Sequence, residues 1–180
     1  MKRLLVMCEG SNEKKVMDIL LEHGCLTFSE DNLLGLSIFH ARQIKNNAQV
    51  KLELNMFPGE VEVLRIGDKQ NEKLDIPKDY KTKITKVDKY CTKPELEMLL
   101  IIAEGKLKDY EKVKSKVSPK EYAKANIKLG KQAYDNSTQF YEDYFGDNVE
   151  VLVDAIKQYQ KLRGKAHGKD ELCLAELLRY

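Results

Sequence analysis

No stretch of this chain is apolar for long enough to cross a bilayer. The run Leu99-Leu100-Ile101-Ile102-Ala103 falls far short of the about 20 residues a spanning helix needs. Met1-Lys2-Arg3 followed by Leu4-Leu5-Val6-Met7 imitates a signal peptide, but the apolar stretch ends at Glu9 with no small-residue cleavage site, which excludes that reading. The cysteines Cys8, Cys25, Cys91 and Cys173 form no C-x-x-C pair. A zinc knuckle is therefore not expected, and reduced thiols in a cytoplasmic protein are. There is no P-loop, no dinucleotide fingerprint and no Gly-x-Ser-x-Gly elbow. An excess of one charge is also missing: 31 basic residues face 29 acidic ones, for a net charge of +2, so bulk electrostatics does not draw the chain to nucleic acid. The stretch 106–131 is lysine-rich, but Asp109, Glu111 and Glu121 interleave with the lysines. That pattern reads first as a solvated helical face with i,i+4 pairs.

What the chain does have is enough apolar sequence to build a core. It has 180 residues, 42% hydrophobic and 33% charged, which predicts one folded α/β domain over 1–180. Arg3 to Cys8 is apolar after its first residue and stops at Glu9-Gly10, as a strand buried on both faces does. Ser11 or Asn12 can cap a helix whose apolar face is Val16, Ile19 and Leu20, closed by His23-Gly24. This is the opening half of a βαβ crossover. Val61 to Ile66 alternates and is β-branched, predicting a second strand that ends at Gly67-Asp68. Residues 38–48 read as helix or loop, Val50–Met56 alternates in places, and Ile84–Val87 reads as a short strand or a turn of helix. Pro94 predicts a helix start, with Thr92 as cap and Glu95 and Glu97 in the first turn. Ser118-Pro119 and Ser137-Thr138 predict two further starts, and Val149 to Tyr159 an amphipathic helix. Lys169-Asp170 predicts a final helix through Leu178. The expected architecture is thus a mostly parallel sheet in the first half and a helical portion from about 106 to 180.

Three acids stand at element ends. Glu9 follows the first strand, Asp68 follows the strand from Val61, and Glu97 opens the Pro94 helix. If the two strands are parallel neighbours, their acids face the crevice where open α/β sheets bind ligands. Converging carboxylates suit Mg²⁺ or Mn²⁺, whose ligand oxygens stand at about 2.0–2.6 Å, and a metal so held activates water and clamps a phosphoryl oxygen. Each acid also has a plainer reading, as a turn former or a favourable charge at a helix N-terminus. Glu13 reads as a surface helix residue. His40 and Arg42 combine a proton shuttle with a phosphate-matching guanidinium, or are simply a partly buried histidine beside a surface arginine. Arg65 can pair with Glu9 or Asp68, or contact phosphate.

Leu4-Leu5-Val6-Met7-Cys8-Glu9-Gly10, followed by Asn12-Glu13 and a helix, resembles the first motif of the TOPRIM domain of topoisomerases, bacterial primases and OLD-type nucleases. The form here is most similar to the RloB-like branch linked to abortive infection, where an Asn-Pro-x-x-Glu segment opens a later helix. Lys93-Pro94-Glu95-Leu96-Glu97 has the same proline-to-glutamate spacing. The resemblance implies a Rossmann-like fold, Mg²⁺-dependent nuclease or phosphoryl-transfer activity on nucleic acid, and a role in phage defence with a possible protein partner. It implies Glu9 as metal ligand or general acid–base, with Asp68 and Glu97 completing the metal site. His40, Arg42, Arg65 and Lys69 would steer phosphate. TOPRIM domains usually carry Asp-x-Asp where this chain has Gly67-Asp68-Lys69-Gln70. A non-catalytic module derived from the same fold is the alternative. It would bind nucleic acid or protein, with a docking face formed by Tyr141, Tyr144 and Tyr159.

Overall fold

The computed structural model describes residues 1–68, 72–92, 95–163 and 172–179. Lys69, Pro94, His167 and the predicted helix start at Lys169-Asp170 lie outside the described residues. Strand β1 (Lys2–Cys8) leads into helix α1 (Ser11–Glu22), then β2 (Phe39–His40), α2 (Ala48–Met56), β3 (Glu60–Gly67) and β4 (Ile84–Cys91). Helices α3 (Met98–Ala103), α4 (Leu107–Val113) and α5 (Pro119–Asn126) follow. A small hairpin, β5 (Lys128–Leu129) with β6 (Gln132–Ala133), separates them from α6 (Thr138–Phe145) and α7 (Val149–Arg163). Strand β7 (Leu172–Cys173) and a 3-10 turn over Leu174–Leu177 complete the described chain.

The main sheet has the order β2-β1-β3-β4-β7, and every neighbouring pair in it is parallel. The molecule is therefore α/β, with a parallel five-stranded sheet and helices concentrated in the second half. β1 and β3 run side by side, with Cys8 opposite Ile66. The side-chain alternation of β1 explains why its sequence is apolar from Leu4 onward. Val6 and Cys8 join one core with α1, α3, α6 and α7. Leu5 and Met7 join a second core on the opposite face with Val50 and Leu54 of α2. Among the described residues no helix is long and apolar enough to cross a membrane.

Several local expectations are corrected. Val50–Met56 lies in helix α2, capped by Asn47, whose side chain accepts the Val50 N–H at 2.9 Å. Phe39–His40 is an edge strand, not helix or loop. Leu172–Cys173 pairs with Tyr90–Cys91 as the fifth strand instead of entering a helix, so the second half is not purely helical. Gly10, not Ser11 or Asn12, is the N-cap of α1. Among the described residues Thr92 caps no helix: its N–H extends the sheet by donating to Gly67 O at 3.1 Å, and Glu97 occupies the N-cap position of α3. Tyr141 is fully buried and belongs to the core, which removes it from any docking face.

Candidate functional site: an acidic crevice at the carboxyl edge of the sheet

The ends of β1 and β3 fix the site. Because the two strands are in register, Glu9 and Asp68 emerge at the same sheet edge, and Glu9 N–H donates to Ile66 O at 2.9 Å. The chain turns into α1 at Gly10, which brings the first turn of that helix over the edge. A cavity of about 280 Å³ opens there. Glu13, Asp68, Glu95 and Glu97 line it together with Asn12, Lys120 and Asn136. The acids come from α1, the end of β3 and the segment entering α3.

Glu13 is the residue that sequence reasoning passed over. It is the third residue of α1, and its carboxylate folds back over Gly10. A Cβ at Gly10 would stand only 2.2 Å from Glu13 Oε2, so glycine leaves the room the carboxylate occupies. Burial raises the pKa of Glu13 above the ordinary glutamate value, and the negative charges of Asp68, Glu97 and Glu9 raise it further, against a lowering hydrogen bond from its own backbone N–H. A carboxyl that neighbouring carboxylates disfavour as an anion is one that a dication would favour. The available signal was its place in the first turn of the helix that follows Glu9-Gly10.

Glu97 is 5% exposed and is held from the second half of the chain. Tyr134 donates its hydroxyl to Glu97 Oε1 at 2.9 Å. The amide of Asn136 lies beside both. Tyr134 has one phenolic proton and spends it on Glu97, so the Asn136 group facing them is its NH₂. In that orientation it donates to Glu97 Oε1 at 3.2 Å, and its oxygen accepts from Lys120 Nζ at 3.1 Å. Glu95 serves the fold as well as the cavity wall, accepting the Lys120 backbone N–H at 2.8 Å in the first turn of α5.

Glu9 sits in a different setting. It is 4% exposed and is not among the cavity-lining residues. Arg65, 2% exposed, donates to Glu9 Oε1 at 3.2 Å. Arg65 also donates to Glu72 O at 2.6 Å and to Arg42 O at 3.4 Å. Of the two roles open to Arg65, the ion pair is the one observed, and it staples the strand ends to the loop beyond Asp68. Gly67 is part of this arrangement: a Cβ there would stand 2.4 Å from Glu9 Cδ. Arg42 is exposed and donates Nε to Glu9 O at 3.2 Å. His40 is exposed, not partly buried, and neither it nor Arg42 lines the cavity.

The donor set of the crevice is all oxygen, as Mg²⁺ or Mn²⁺ requires. Among the described residues, no three His, Cys, Asp or Glu side chains stand close enough to enclose an ion. Mg²⁺ commonly takes only one or two carboxylates, the remaining positions going to water and phosphate oxygens. The crevice fits that open kind of site and not a closed protein cage. Comparison with protein-family models, with curated proteins and with solved structures gave no match.

Proposed function

We propose that this chain is a TOPRIM-like phosphoryl-transfer domain that hydrolyses phosphodiester bonds of nucleic acid with Mg²⁺ or Mn²⁺, working from the crevice of Glu13, Asp68 and Glu97. The observation that carries the reading is the convergence of those three acids, from three separate elements, on one cavity that Lys120 also lines. A bound divalent ion would supply Lewis-acid stabilisation of the phosphoryl oxygens and a water of lowered pKa. Asp68 and Glu97 are the ligands in this reading. Glu13 keeps its carboxyl proton to higher pH than an ordinary glutamate, which suits it to hand that proton to a leaving oxygen. Lys120 contributes positive charge for a substrate phosphate. Glu9 stands behind the crevice and fixes the strand ends through Arg65. A part in phage defence follows from the resemblance alone, and a cytoplasmic setting from the cysteine pattern.

The test is cleavage of labelled single- and double-stranded DNA and RNA with Mg²⁺ or Mn²⁺. The wild type is expected to cut at least one of them, and Glu13→Gln and Asp68→Asn to lose about a hundredfold or more of the rate. A non-catalytic binding module is the second reading. The buried Glu9–Arg65 pair favours it, because that pair turns the family's acid–base residue to a structural use. It predicts nucleic-acid or protein binding with no metal-dependent cleavage.

A further inference from the structure

We infer that Tyr134 and Asn136 form a clamp that positions Glu97, holding its Oε1 and leaving Oε2 to the crevice. Both donors to Oε1 come from the short strap between β6 and α6. Among the described residues, Glu97 Oε2 has no hydrogen-bond donor, and Glu97 lines the cavity.

The strap is fixed by contacts that have nothing to do with Glu97. Tyr134 N–H donates to Ile127 O at 3.0 Å. The Tyr134 ring stands edge-on to Phe140, with centroids 5.1 Å apart, and edge-on to Tyr141 at 5.9 Å. The Tyr141 hydroxyl lies 3.2 Å from that of Tyr134, and donates to it because the Tyr134 proton is already committed. Beyond Tyr134, the Asp135 carboxylate accepts the Ser137 N–H at 2.9 Å, and Ser137 Oγ accepts the Phe140 N–H at 3.1 Å as the cap of α6. Asn136 between them adopts φ +67°, a left-handed conformation that asparagine tolerates better than most residues. The two donors are thus set in place before Glu97 needs them, which is the condition for positioning a ligand group.

Tyr134 and Asn136 are positioning residues, and their importance for a bound cation rests on the function proposed above. The test separates the two. Side-chain couplings of Glu97, measured by NMR on metal-free protein, should report one χ1/χ2 rotamer in the wild type. They should report averaging in Tyr134→Phe and in the Tyr134→Phe, Asn136→Gly double variant. Phenylalanine keeps the ring packing, and glycine accepts the positive φ. Unchanged couplings in the double variant overturn the clamp, whatever the protein binds. In a Mn²⁺ titration followed by thermal unfolding, the double variant should need about ten- to a hundredfold more metal for half-saturation. Averaged couplings with an unchanged Mn²⁺ midpoint overturn the claim that the clamp serves the cation. No Mn²⁺ response in the wild type overturns the proposed function, while the couplings still decide the clamp.

Discussion

Glu9 and Glu13 lie four positions apart at the same sheet edge, on either side of the Gly10 cap and in opposite surroundings. Glu9 is sealed beneath Gly67 and answered by a buried guanidinium. Glu13 opens on a cavity it shares with Asp68 and Glu97, and its negative neighbours hold its carboxyl pKa up. Two residues of the same type at one strand-to-helix turn thus divide the work. The acid paired with a buried guanidinium maintains the structure, and the acids that line the crevice form the proposed site. A motif centred on Glu-Gly draws attention to the first, while the chemistry proposed here uses the second.

The sharpest way to break this comparison is to remove the cation from the paired side. Arg65→Ala takes away one partner of a buried ion pair, an intervention that costs about 3–5 kcal/mol. It also removes the 2.6 Å hydrogen bond to the loop carbonyl of Glu72, leaving that of Lys89 at 3.5 Å. Denaturant unfolding should register that loss. A cost within about 0.5 kcal/mol, as for an ordinary surface change, would remove the structural role assigned to Glu9. Gly67→Ala is the next largest. Its Cβ would collide with Glu9 Cδ and Cγ, and overpacking of this kind costs about 1–3 kcal/mol. The same unfolding assay checks it, and the loss should shrink in a Glu9→Ala background, since the colliding atoms are then gone.

On the open side the expected sign reverses. Glu13 has a folded pKa above its unfolded value, so its anion destabilises the native state. That penalty is absent below the unfolded pKa of about 4.3, grows as pH rises through the raised folded value, and is complete above it. Glu13→Gln should therefore stabilise the metal-free protein at neutral pH by about 2–4 °C, the shift made by about 1 kcal/mol in a domain of this size. The gain should vanish in acid. A variant less stable than the wild type at neutral pH would contradict the assignment of Glu13 as an electrostatically frustrated residue.

The parts of this fold that were readable in the sequence are those whose burial is complete or strictly alternating. β1 is buried on both faces and β3 nearly so, so both carry strong apolar patterns. β4 was ambiguous because Thr85, Lys86 and Val87 are exposed. α2 buries only Val50 and Leu54, too little for a helical period to stand out. β7 has two residues and exists because Tyr90 and Cys91 offer it an edge, a tertiary fact with no local signature. The site follows the same division. Asp68 was legible as the end of a strand and Glu97 as the start of a helix. Glu13 was legible as a first-turn helix residue but not as part of the crevice, because its neighbours Asp68 and Glu97 come from distant elements. Tyr134 was not legible, since its hydrogen bond to Glu97 spans 37 positions and depends on how the hairpin and α6 pack.

The most direct test of the central claim is a Mn²⁺ titration of thermal unfolding in three proteins: the wild type, Asp68→Asn and Glu97→Gln. Saturable binding to the native state raises the unfolding temperature with metal concentration, by about 2.7 kcal/mol of added stability at a hundred times the dissociation constant. The wild type should show that rise, and both variants should lose most of it. A flat wild-type response, or an equal rise in all three proteins, would contradict the assignment of this crevice as the metal-binding site.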